Sequence, residues 1–274
     1  SDVCSSDLRT FGCNFKCPGF GLERGLKTKE PDDIAQVINL YDKFEDLPLA
    51  TSGCDSYASW HPAFKHLSPY YTIDQAVDKI LSLTPNKHWM QNNGNDVHLV
   101  ITGGEPLLGW QQLYPKLLGH DRMHDLLNVT FETNGTQHLY EDLKEFFSRW
   151  KGQIVGNHKR HWNHITFSVS PKLSASGERW EDAIKPEIIN EYEYIGYTYL
   201  KFVVDDPKDF EEVDEAVNVY RKAGFTGFVY VMPVGGTDQA YFENNKPIAD
   251  LALEKGYRYS PRLHVDIWSN GWGK

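Results

Sequence analysis

The sequence has no run of about eighteen apolar residues, so nothing in it reads as a membrane-spanning helix. Basic residues are in deficit: 28 Lys and Arg against 38 Asp and Glu leave a net charge of −10. That balance argues against a protein that coats nucleic acid, although a small anionic ligand needs only a local basic pocket. Four cysteines in 274 residues are too few for a disulfide scaffold. Residues 1–8 carry no basic or apolar stretch, so they do not read as a secretory signal. There is no internal repeat of about 20–50 residues and no low-complexity tract. What is present is 40% apolar and 14% aromatic residues, enough for a sizeable core. The expectation is a cytoplasmic enzyme forming a single domain over residues 1–274.

From residue 72 onward, short apolar runs alternate with amphipathic helical patterns. Thr72 and Gln75 read as a capping box, with Ile73, Val77, Ile80 and Leu81 at helical spacing behind it. Strands are expected at 97–101, 129–131, 165–169, 199–204, 227–232 and 263–267. Helices are expected between them, one lined by Leu139, Leu143, Phe146, Phe147 and Trp150 and another by Phe210, Val213, Val217 and Tyr220. Residues 239–255 also read as helical, with Pro247 breaking or offsetting the pattern. Strand and helix alternating this often predict an α/β fold with a parallel sheet and right-handed crossovers. About six strands are too few for a complete barrel, so the expectation is an open, partial β/α barrel. Residues 18–53 break this rhythm and read as an insertion with a short helix around Ile34, Val37, Ile38 and Leu40, or else as a linker.

Two constellations carry chemistry. Cys13 and Cys17 are separated by three residues, and Cys54 follows in Gly53-Cys54-Asp55-Ser56. Three thiolates can hold three irons of a [4Fe–4S] cluster and leave one iron open to a small chelating molecule. Ordinary buried thiols or a structural zinc site are the alternatives, though zinc commonly takes four ligands. The second is Thr102-Gly103-Gly104-Glu105-Pro106 at the C-terminal end of an expected strand, where parallel sheets bind ligands. Two glycines let the backbone approach a ligand closely, and Glu105 would accept from an ammonium group. A plain strand-to-helix turn accounts for the same residues.

Taken together, Cys13-x3-Cys17, a later Cys-Asp-Ser and the Gly-Gly-Glu-Pro loop resemble the radical S-adenosylmethionine superfamily. Glu132-Thr-Asn-Gly-Thr136, Ser170-Pro171-Lys172, Leu200-Lys-Phe-Val203 and the ending from Arg262 to Gly273 resemble one branch, the 7-carboxy-7-deazaguanine synthases. Residues 8–13 and 54–60 resemble it too, and all these pieces follow the family's order along the chain.

The resemblance implies a lyase that rearranges 6-carboxy-5,6,7,8-tetrahydropterin to 7-carboxy-7-deazaguanine with loss of ammonia, using S-adenosylmethionine and Mg²⁺. It implies that Cys13, Cys17 and Cys54 hold the cluster. Asp55, Gly104, Ser170, Pro171, Lys172 and the segment Met232, Pro233, Val234, Gly235 would contact S-adenosylmethionine. Arg9, Thr102 and the terminal Lys274 would meet the substrate, and Ser56 would give Mg²⁺ an oxygen. Arg9 also suits a carboxylate physically, as a planar fork of donors. A flavodoxin- or ferredoxin-like electron donor and a homodimer follow from the resemblance as well, with no nucleic-acid or membrane partner.

The sequence also departs from the family. Phe20 stands where the superfamily's usual third cysteine would fall, so Cys54 takes that role only across a looped 18–53 insertion. The family has a strand and a substrate loop ahead of its first cysteine, whereas residues 1–7 do not resemble them. The chain therefore reads as N-terminally incomplete. Cys4 has no assigned role. His158, His161 and His164 recur every third residue but read as a solvated loop rather than a metal site. His264 and Asp266 alternate on the last expected strand, facing either the site or the core. Trp268 and Trp272 read as packing. The competing functions are another radical reaction of the same superfamily, such as glycyl-radical activation, and a non-catalytic zinc-stabilised scaffold.

Overall fold

The computed structural model describes residues 5–151, 163–235 and 238–272. Seven parallel strands form a single sheet in the order of the chain: β1 (Ser5–Thr10), β2 (His98–Gly103), β3 (Asn128–Thr133), β4 (His164–Val169), β5 (Tyr197–Val204), β6 (Val229–Pro233) and β7 (Arg258–Tyr259). Strands β1 and β7 do not pair with each other, so the barrel stays open. Sequential order with right-handed crossovers puts the connecting helices on one face of the sheet and frees the other.

Side-chain alternation shows which face is which. Leu99, Ile101, Val129, Phe131, Ile165, Phe167, Leu200, Phe202 and Val231 are fully or nearly fully buried against the helices. Those helices include α2 (Ile73–Ser82), α4 (Glu141–Trp150), α6 (Pro186–Ile195), α7 (Asp209–Lys222) and α8 (Asp238–Glu254), following the short α1 (Glu30–Gln36), α3 (Tyr114–Leu118) and α5 (Trp180–Ala183) in their turns. The expected capping box is present, Thr72 accepting from the Gln75 N–H and Gln75 from the Thr72 N–H. Most alternate positions on the strands are polar or aromatic and line the inner face, among them Arg9, His98, Thr102, Thr130, Glu132, Ser168, Tyr199, Lys201 and Tyr230, with Val100, Val203 and Met232 beside them. A closed barrel fills its interior with branched apolar side chains, so this polar lining marks a cavity rather than a core.

Three expectations are corrected. Residues 263–267 do not form a strand; Leu263–Trp268 is a helix, α9, and the last strand is the two-residue β7 just before it. The His264–Asp266 alternation therefore has no strand to lie on. Six expected strands become seven because Ser5–Thr10 pairs along the whole of β2, with Arg9 beside Thr102. A strand does precede the first cysteine. Pro247 lies inside α8 without ending it.

The insertion shares a small core with the segment that follows Cys54. Ile34, Leu47, Ala50, Tyr57, Ala58 and Phe64 bury together, and Trp272 packs on them with its ring edge-on to Phe44 and Tyr57. The helix here ends at Gln36, leaving Val37 and Leu40 exposed. No helix among the described residues is long and apolar enough to cross a membrane.

Candidate functional site

Every expected site segment that falls within the described residues lies at the C-terminal edge of the sheet or in a loop packed on it. Cys13 and Cys17 follow β1, Gly104 follows β2, Ser170 to Lys172 follow β4, and Met232 to Gly235 close β6. Lys274, His158 and His161 lie outside the described residues, and His164 is an exposed residue at the start of β4.

Cys13, Cys17 and Cys54 join one small cluster with Phe15, Phe20 and Ala183. The loop that bears the first two is pinned from several sides. Glu178 accepts from the N–H groups of Lys16 (2.9 Å) and Cys17 (2.7 Å). Asn134 donates to the Asn14 side chain at 2.9 Å, and Asn14 donates to Thr136 at 3.0 Å. Gly19 sits so close to the backbone of residues 175–177 that a Cβ would meet Ala175 O at 2.8 Å. Cys17 itself has φ of 47°, left-handed backbone that this clamp must hold in place. Cys54 follows the insertion directly and lies beside the indole of Trp60.

Burial pushes all three thiols up, Cys13 to about 11, Cys54 to about 12 and Cys17 well above its ordinary value. The Lys172 ammonium opposes the rise at Cys13 and Cys17. As thiols they are neutral and comfortable; as thiolates they need a positive centre among them. Among the described residues no group of three or more His, Cys, Asp or Glu converges tightly enough for one metal ion. An iron–sulfur cube, wider than an ion, suits three thiols that share a pocket without converging on a point.

The glycine pair holds β1 and β2 in register at this edge. A Cβ on Gly103, at φ 127°, would lie 2.1 Å from Thr10 O, and one on Gly104 would lie 2.2 Å from Gly12 O. Only glycine fits there. Glu105 is held within the protein. Its carboxylate is fully buried and occupied by protein donors: Thr133 Oγ1 at 2.7 Å, the Asn134 N–H at 2.7 Å and the Leu107 N–H at 3.0 Å. It ties the β2 loop to the β3 loop, three of its roughly four lone-pair sites being taken by protein donors.

Arg9 and Thr102 stand side by side on the inner face, and Arg9 Nη1 lies 3.5 Å from Ser56 Oγ. Ser56 Oγ donates to Asp55 at 3.4 Å, and Asp55 is ion-paired with Arg262. Burial pushes Asp55 up, but Arg262, with His264 and Arg9, wins and holds it at about 2. Arg262 is itself buried, and its Nε has no partner. The same burial, with Arg262 close by, pushes His264 down.

Sequence reasoning gave no role to Asn134, Glu178, Arg262, Glu132 or Lys201. Glu132 and Lys201 did carry a signal, because each is a charged residue alternating with apolar ones on a strand.

No family model matches the chain. A 7-carboxy-7-deazaguanine synthase of Halobacterium salinarum is 32% identical, across 79% of this chain and 77% of its own length. One from Pyrobaculum aerophilum is 30% identical, across 83% and 84%, and one from Rhodopirellula baltica is 26% identical, across 84% and 81%. Among solved structures, Streptococcus suis SuiB bound to S-adenosylmethionine is a distant likeness, with a TM-score of 0.39 at 14% identity over 64% of this chain and 40% of that one. With the first two relatives matched at this identity over most of both chains, this chain belongs to the 7-carboxy-7-deazaguanine synthase family.

Proposed function

We propose that this protein is a carbon–nitrogen lyase that converts 6-carboxy-5,6,7,8-tetrahydropterin to 7-carboxy-7-deazaguanine and ammonia. The observation that carries the reading is the gathering of three thiols from two distant segments at the rim of a polar concave sheet. Cys13, Cys17 and Cys54 would hold a [4Fe–4S] cluster through three of its irons. With S-adenosylmethionine bound, that cluster supplies a carbon-centred radical able to take a hydrogen atom from the substrate.

The chain's own residues do the rest. The Gly103–Gly104 turn brings backbone close to the thiols, and Ser170, Pro171 and Lys172 follow β4 at the same edge, Lys172 Nζ donating to Ser170 Oγ at 3.2 Å. These residues, with Asp55 and the Met232–Gly235 segment, are the proposed cradle for S-adenosylmethionine. Arg9 would receive the substrate carboxylate as a fork, with Thr102 beside it. Ser56 would give Mg²⁺ one oxygen, water and substrate supplying most of the others. On binding, Arg9 would exchange its contact with Ser56 for the carboxylate. The sheet wall and the insertion exclude water from the reacting carbon and hold it in place. A flavodoxin- or ferredoxin-like donor would reduce the cluster, and a homodimer is the proposed assembly.

Anaerobic reconstitution followed by iron and sulfide analysis tests this, with product formation from the tetrahydropterin measured in parallel. The expected wild-type content is about four irons per chain, with loss of most of it in Cys54→Ala. Full cluster retention in that variant would remove Cys54 from the site. A brown, cluster-loaded wild type that makes no deazaguanine would point to another radical reaction.

A further inference from the structure

Trp60 has no part in the activity proposed above, yet it closes the turn that follows Cys54. Tyr57–Ser59 forms one short 3₁₀ turn, which the Trp60 N–H ends by donating to Tyr57 O at 3.2 Å. The carbonyl of Ser59 accepts from the Gly12 N–H at 2.8 Å, so the same turn is fastened to the loop that carries Cys13. The Trp60 side chain packs on the insertion core, tilted against the His61 ring at 5.6 Å. Its indole Nε1 is buried and makes no hydrogen bond within the protein. The group it lies beside is Cys54: burial and the Asp55 charge push that thiol up, while the Trp60 indole and the Ser56 N–H pull it back.

A buried N–H without an acceptor is costly, and native proteins rarely keep one. A neutral thiol accepts weakly, whereas a thiolate accepts strongly. The other donors near these sulfurs are already engaged. Cys13 Sγ accepts from the Phe15 N–H at 3.4 Å, and Asn134 Nδ2, 4.0 Å from the same sulfur, donates to Asn14 at 2.9 Å. Between the two side-chain donors, only the Trp60 indole lacks another acceptor.

We infer that Trp60 donates an N–H···S hydrogen bond to the Cys54 sulfur when that sulfur is a cluster ligand, and so raises the reduction potential of the cluster. When the donor protein passes one electron to the oxidised cluster, the added negative charge spreads onto the iron-bound sulfurs. An N–H beside one of them stabilises the reduced form more than the oxidised form. Trp60 is therefore a positioning and tuning residue, acting through Cys54 and touching no substrate atom. The inference rests on the cluster assigned under the proposed function and on nothing about the substrate.

Trp60→Phe removes the N–H and keeps an aromatic ring in the insertion core. On the anaerobically reconstituted full chain without S-adenosylmethionine, a redox titration followed by EPR reads the potential. The reduction equilibrium is expected to shift about tenfold toward the oxidised cluster, which is about 59 mV for a one-electron couple. Iron content is expected to stay near the wild-type value, because the three cysteines are untouched. Tryptophan labelled with heavy nitrogen in its ring supplies a second reading: ENDOR of the reduced wild-type cluster is expected to show coupling to an indole nitrogen, absent in Trp60→Phe.

An unchanged potential in a fully loaded Trp60→Phe overturns the inference and leaves the lyase reading standing. If the variant fails to load iron, the labelled wild type decides, and the absence of any indole coupling overturns the inference. A wild type that holds no iron–sulfur cluster overturns both.

Discussion

Replacing Glu105 by Gln turns one carboxylate oxygen into an NH₂ group while keeping the size of the side chain. Oε1 accepts from Leu107 N–H and Thr133 Oγ1, and a Gln oxygen placed there would keep both bonds. The new NH₂ would then face the Asn134 N–H, now accepted by Oε2 at 2.7 Å, and two donors would oppose each other in a site with no water access. A buried donor left without an acceptor costs about 1–3 kcal/mol, and the lost charge assistance adds to it, so a loss of about 2–3 kcal/mol is expected. The damage has a direction: Asn134 would lean away, loosening its bond to Asn14 beside Cys13. Urea unfolding of the apoprotein reads the stability loss as a shift in midpoint at unchanged slope. Iron retention after reconstitution reads the loosened loop, and equilibrium binding reads the affinity of any remaining holoprotein for S-adenosylmethionine. An unchanged midpoint together with a selective loss of S-adenosylmethionine affinity would refute the reasoning, because it would mean that the carboxylate serves the ligand and not the backbone.

Gly104→Ala should fold but load iron poorly, because its Cβ would meet Gly12 O at 2.2 Å and Cys13 Cβ at 3.0 Å; normal iron content with native circular dichroism would contradict the close packing at this turn. Asp55 should contribute to pH-dependent stability. Its folded value of about 2 lies below the ordinary 3.8, so its contribution is complete above about pH 4 and disappears as pH falls toward 2. A third of its side chain faces solvent, so screening reduces that contribution to about 1 kcal/mol. Arg262→Met should abolish this acid-sensitive component; an identical pH profile for the apoprotein in both forms would show that the ion pair adds nothing.

The helix-and-strand rhythm after residue 72 was legible because periodicity is local: Leu99 and Ile101, or Leu143 and Phe147, must share a face whatever surrounds them. The same logic failed at 263–267, where His264 and Asp266 alternate with Val265 and Ile267 as a strand would. Five residues match either period, and the edge of β7 is already ended at Tyr259, so the chain turns into a helix instead. It also passed over Ser5–Thr10, a polar strand whose only strong advertisement is its pairing with β2.

The sequence alone determined the alternation of elements, the glycine pair that only glycine can satisfy, and the three cysteines whose family context named their chemistry. The tertiary structure decided what those residues do to one another. It carried Cys54 across the insertion to Cys13 and Cys17, bound Glu105 between the β2 and β3 loops, and set Glu132 against Lys201 from strands far apart in the chain. Hydrogen-bond partners and burial depend on the distance between segments in space. Residue type and spacing fix the local period of a segment, and only the packed sheet fixes that distance.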